Sequence, residues 1–155
     1  MDINEKIKTM VMAQQKMIDA VAKIDPKLEI YPGWCISEVI SHLIGWDDLA
    51  IALVIELNQK GKNERIMVDT IDLFNRQSVK KRKALSLKEI INQYVSVRLS
   101  LLGLLQKTPI KTLTMDADLP WGDEGSVLQV LDIWIDHEAE HLDELIERLA
   151  KGTGS

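Results

Sequence analysis

The chain has 155 residues, 46% of them hydrophobic and 28% charged, enough for one packed core and too few for two. Its 19 Lys and Arg stand against 24 Asp and Glu, a formal net charge of −5, so no phosphate-seeking surface is expected and nucleic acid is not the partner. Cys35 is the only cysteine, no charged-then-apolar leader or long apolar run is present, and aromatics at 5% do not suit a β-sandwich. The expectation is a reduced, cytoplasmic, all-α protein with no membrane contact.

The first helix is predicted from Asp2 to about Ile24, with Ile3, Ile7, Met10, Met17 and Val21 in three-and-four spacing and Asp2 with Glu5 as a capping box. Asp25-Pro26 ends it, and a turn carrying Tyr31-Pro32-Gly33-Trp34 leads to Ser37, read as the N-cap of a second helix that Gly61 closes. After a polar connection, Asp69 is read as the cap of a short helical piece through Asn75 into the basic run Lys80-Lys81-Arg82-Lys83, expected to be a solvated helix end. Ser86 to Glu89 fits a capping box for the third main helix, which Thr108-Pro109 stops. A loop with Leu119-Pro120-Trp121-Gly122 follows, and Ser126 caps a fourth helix reaching about Ala150.

Four amphipathic helices of roughly 20 residues can bury their stripes against one another. The predicted architecture is a four-helix bundle with a long crossover connection between helices two and three. Residues 1–151 form its single domain and residues 152–155 a flexible tail.

The three histidines of the chain are His42, His137 and His141. At about 100° per residue, His137 and His141 lie within about 40° of each other and border the stripe of Val130 and Trp134, while the acidic residues of that helix gather on the far side. His42 falls mid-stripe on helix two, near Trp46 and Leu53. An i, i+4 pair with a third imidazole from a facing helix is the protein half of a metal site with open positions, although a lone buried histidine is ordinarily just a hydrogen-bonded core residue. Imidazole suits Zn, Ni, Fe and Cu alike.

His137 to His141 also matches H-E-x-x-H. However, Glu144 and Glu147 stand where the extended protease pattern has Gly and His, and only 14 residues follow His141. Glu138 is read instead as a carboxylate orienting a histidine, or a partly buried one with a partner of its own. Trp46, Trp134 and Trp121 are candidate pocket residues, Trp121 on a mobile loop, although tryptophan is equally a common bundle filler. Cys35 is read as an inert thiol.

The segment from Gly33-Trp34 through His42-Leu43-Ile44-Gly45-Trp46-Asp47, then Ile71-Asp72-Leu73-Phe74-Asn75 with its basic run, then the terminal H-x-x-x-H, resembles the DinB-like superfamily in the same order along nearly the whole chain. The resemblance implies a four-helix bundle of unusual connectivity and a divalent metal ion, Zn, Ni or Fe, on His42, His137 and His141. It also implies a homodimer and an activity among thiol-dependent transferases and isomerases; the activity expected of a metal site with open positions is that of a small-molecule hydrolase or a transferase dependent on a low-molecular-weight thiol. Asn75 enters on the family-like segment as a polar substrate contact. The Leu43-Ile44-Gly45-Trp46 stretch is also similar to ClbS/DfsB-type bundles, which implies the alternative of metal-independent detoxification. A non-catalytic, ligand-binding or stress-response bundle is the other alternative.

Overall fold

Capping chemistry decides where each helix of this chain begins. The computed structural model describes residues 1–152. In α1 (Ile3–Val21), Asp2 accepts the Glu5 N–H at 2.9 Å and Glu5 accepts the Asp2 N–H at 3.2 Å, the reciprocal satisfaction of two orphan donors. The helix stops at Val21 rather than near Ile24, because the N–H groups of Lys23 and Ile24 turn back onto the carbonyls of Ala20 and Val21.

α2 (Ile36–Lys60) starts one turn-edge earlier than expected: its N-cap is Cys35, not Ser37, and Glu38 takes the Cys35 N–H at 3.0 Å. Gly61 ends it at φ +70, a left-handed cap that glycine reaches without a Cβ penalty. α3 (Ile71–Lys81) is capped by the Thr70 hydroxyl on the Leu73 N–H at 3.1 Å, displacing Asp69 from that role. α4 (Leu87–Lys107) begins on Ser86 as predicted.

The stretch expected to be loop is partly ordered into α5 (Ile110–Thr114) and a hairpin of β1 (Ala117–Asp118) with β2 (Glu124–Gly125). α6 (Val127–Gly152) is entered through a second reciprocal cap, Ser126 with Gln129. The helix therefore includes Gly152, the first residue of the expected tail; residues 153–155 lie outside the described residues.

The main packing runs α1 on α6, α6 on α2, α2 on α4 and α4 on α1, so the four long helices form a ring in which α1 and α2 stand diagonally. The long connection from α2 to α4 carries α3, which seats on α2 at Gly45; a Cβ there would lie 2.1 Å from Ser78 Oγ. Arg82, expected in a solvated run, is buried at 7% exposure, bonded to Asp48, Gln93 and the Ser78 carbonyl. Its neighbours Lys80, Lys81 and Lys83 are exposed, as expected of the run.

The core divides into two apolar clusters. One holds Met10, Trp46, Leu101 and Trp134; the other holds Met17, Ile44, Tyr94 and Leu142. Between these levels the same four helices contribute Gln14, Asp47, Arg98 and the His137–His141 turn, a polar belt across the bundle. Arg98 donates to Asp47 at 2.7 Å, to both oxygens of Glu138 at 3.1 and 2.7 Å, and to the Met10 carbonyl at 3.0 Å. Tyr94 Oη donates to Glu138 at 2.5 Å. Burial pushes the Asp47 carboxyl up to about 6 despite the guanidinium beside it.

Candidate metal centre

α2 brings His42 and α6 brings His137 and His141 to one point beside this belt. Their ligand nitrogens all lie within 4.8 Å of one another. His42 is buried and the other two are partly so. The ring centroids of His42 stand 5.2 Å from those of His137 and 4.7 Å from those of His141. Trp34 covers the outer side of His42 with ring centroids 5.0 Å apart.

The protonation of each ring follows from its surroundings. Burial pushes the His42 imidazole down to about 3, helped by His141 and His137, and pushes His141 down to about 4, helped by His137. Burial lowers His137 as well. All three are therefore neutral near pH 7, the state in which imidazole is a ligand.

Second partners fix which nitrogen is offered. His42 Nδ1–H donates to the Val39 carbonyl at 2.5 Å, which leaves Nε2 for the site. Tyr31 Oη donates to Glu144 and lies 2.7 Å from His141 Nδ1, so its oxygen accepts the Nδ1–H and again Nε2 faces inward. The His137 and His141 Nε2 atoms are 3.0 Å apart. Two neutral rings presenting lone pairs at that distance repel unless a cation or a proton sits between them. Tetrahedral bonds of about 2.0–2.1 Å would put two nitrogens about 3.3 Å apart, so the donor set fits a divalent ion.

Tyr31 and Glu144 escaped the sequence reading. Glu144 stands three residues after His141, on the same face of the helix, which is the available signal; Tyr31 is one residue in a turn and has none. Of the two readings of Glu138, the structure gives the second, a buried carboxylate with partners of its own: both oxygens are taken by Arg98, and one also by Tyr94. Cys35 is partly exposed, with its thiol pushed up by burial and by Glu38, Glu29 and Asp25, which keeps it protonated and unreactive.

A cleft of about 470 Å³ opens beside His137. It is lined by Trp46, Trp121 and Trp134, with Ile71 and Ile133 and the carboxylates Asp136 and Glu140. Trp46 lies edge-on to Trp134 at 5.1 Å and its ring centroid is 6.4 Å from that of His137. Trp121, in the hairpin turn, packs tilted against Trp134 with ring centroids 5.9 Å apart. The structure thus gathers the three predicted tryptophans beside the triad. Asn75 follows Phe74, whose ring packs on Trp46 at 4.8 Å, and its Oδ1 is buried without a hydrogen-bond partner.

No protein-family model matches the chain, and no curated relative matches it in sequence. In three dimensions it is similar to the crystal structure of the mycothiol-dependent maleylpyruvate isomerase, with a TM-score of 0.78 over 94% of this chain and 61% of that one. A histidine-to-alanine mutant of that isomerase matches over the same shares with a TM-score of 0.75. The fold is DinB-like. At 11% identity the DinB-like likeness is one of architecture, and the chain spans about three fifths of the length of those structures. Among the described residues no helix is long and apolar enough to cross a membrane.

Proposed function

We propose that the protein is a divalent-metal-dependent enzyme acting on a small molecule, with a low-molecular-weight thiol as co-substrate. The observation that carries this reading is the convergence of three neutral imidazoles, two with Nδ1 already engaged, at the mouth of an apolar cleft. His42, His137 and His141 would hold the ion, and Zn, Ni and Fe all suit such donors. The ion would supply Lewis acidity to a substrate thiol or water. Tyr31 and Glu144 hold His141 in the ligating tautomer, and the tryptophan walls exclude bulk water from whatever lies against His137.

Dependence on a thiol is taken from the DinB-like structural neighbours, which are named for mycothiol. A hydrolase using the same ion is the second reading, since an open coordination position serves water as well as thiol. In a metal-independent ClbS/DfsB-like protein, or a passive ligand-binding bundle, a shared proton would have to hold the Nε2 atoms of His137 and His141 at 3.0 Å, and the third imidazole, His42, would have no role at the same point. The same reading takes the protein as a cytoplasmic homodimer of one domain over residues 1–151, on the family resemblance and the lone cysteine.

The test is elemental analysis of protein purified without chelator or histidine tag, beside His137→Ala/His141→Ala. About one ion per chain, lost in the double variant, is expected. Loaded and metal-free protein are then compared for thioether formation from a small electrophile and thiol, and for hydrolysis of small esters and amides. A wild type that stays metal-free after incubation with Zn, Ni, Mn or Fe would sink the proposal.

A further inference from the structure

The cleft beside His137 carries a charge preference of its own. We propose that it selects an uncharged, apolar substrate bearing a carbonyl or similar hydrogen-bonding group, and turns carboxylates away. This rests on the metal-centre reading only for which end of the substrate reacts; the selection belongs to the cleft itself.

Its volume, about 470 Å³, is that of a small-molecule site, and its walls are mostly indole and isoleucine. The charged groups among its described lining residues are Asp136 and Glu140, with no lysine or arginine facing them. Both belong to α6 and stand near His137 in sequence, so a ligand lying in the cleft against His137 has two carboxylates beside it. A carboxylate ligand would lose its hydration against indole while meeting like charge.

Two buried polar side-chain atoms lack partners: the Nε1–H of Trp46, a residue that lines the cleft at 7% exposure, and the Oδ1 of Asn75, one residue after the Phe74 that packs on Trp46. One is a donor and the other an acceptor, and buried polar groups are ordinarily satisfied. An uncharged carboxamide or hydroxyketone offers the complement to both. An ammonium group would answer the acidic rim but cannot accept from the indole.

The probes are 2-naphthamide, 2-naphthoate and 2-naphthylmethylammonium, of one shape and three charges. They are titrated into nitrogen-15-labelled protein while the four indole N–H signals are followed, with Trp46 assigned by its loss in Trp46→Phe. Ion content is measured on the same samples, and the titrations are repeated after chelator treatment.

In metal-free protein the naphthamide is expected to move the Trp46 signal and to bind about tenfold tighter than the naphthoate. Asp136→Asn/Glu140→Gln, two exposed positions, should reduce that ratio below about threefold. The proposal is overturned by naphthoate binding as well as naphthamide, by a Trp46 signal that stays put, or by a ratio unchanged in the double variant. Charge selection in a protein that never takes up metal would remove the metal centre and leave the cleft; a loaded protein without selection would do the reverse.

Discussion

Replacing Arg98 with methionine removes the one cation from a group of two buried carboxylates. Asp47 is 1% exposed and Glu138 3%, and Arg98 supplies hydrogen bonds to both, two of them at 2.7 Å. Methionine fills a similar volume, so the loss is electrostatic rather than a cavity. Breaking a buried ion pair from one side costs about 3–5 kcal/mol, a large share of the roughly 5–15 kcal/mol that holds a domain together.

The pH dependence identifies the cause. The Asp47 pKa is already raised to about 6 with Arg98 present, and removing the guanidinium raises it further. A raised folded-state pKa confers stability below the unfolded-state value that is lost as pH rises through the folded one. The deficit of Arg98→Met should therefore be greatest near pH 8 and shrink by about half near pH 5 as the stranded carboxylates take up protons. Urea unfolding of chelator-treated protein at both pH values reads it, and adding Asp47→Asn and Glu138→Gln should restore at least half of the loss. A deficit below about 1 kcal/mol, or one that grows on acidification, refutes the reasoning.

Tyr31→Phe leaves the His141 Nδ1–H without its acceptor; metal affinity by chelator competition should fall about 10–100-fold with under about 1 kcal/mol of stability lost, and unchanged affinity would count against the Tyr31 role. Metal-free wild type should lose stability as pH falls from 7 towards 4, because His42 and His141 have folded pKa values near 3 and 4 while the unfolded chain takes up protons near 6.5. Each contributes at most about 1.4 kcal/mol per pH unit and Asp47 offsets about one of them, so urea midpoints that rise on acidification would contradict the buried-neutral assignment. Gly45→Ala should destabilise by about 1–3 kcal/mol despite the better helix propensity of alanine, since its Cβ would meet Ser78 Oγ at 2.1 Å. Pairing it with Ser78→Gly should recover most of the melting temperature, and a single variant as stable as wild type would refute the close approach.

The long helices were legible because each announces itself locally, through apolar spacing and a cap within four residues, as Asp2 with Glu5 and Ser86 with Glu89 do. The triad was legible because the helical period alone sets which way His42, His137 and His141 face. What was hidden depends on partners distant in the chain. Arg98 looked like any helical arginine until α2 and α6 supplied Asp47 and Glu138, although its place between Tyr94 and Leu101 on an apolar stripe was a readable sign. Arg82 was assigned to solvent with its basic neighbours because Asp48 and Gln93 come to it only through the tertiary fold. The caps of α2 and α3 slipped by one or two residues, since Ser37 and Asp69 are as good in type as the Cys35 and Thr70 that the backbone uses.

One ligand of the triad comes from the second helix and two from the last, about 95 residues later. During synthesis His42 therefore leaves the ribosome about 95 residues ahead of His137 and His141. An ion held by all three histidines could not template the helices made before α6, and the polar belt around Arg98, which also takes Glu138 from α6, closes at the same stage. On the proposed metal centre, ion uptake would be a closing step, open only to a bundle in which α6 has docked.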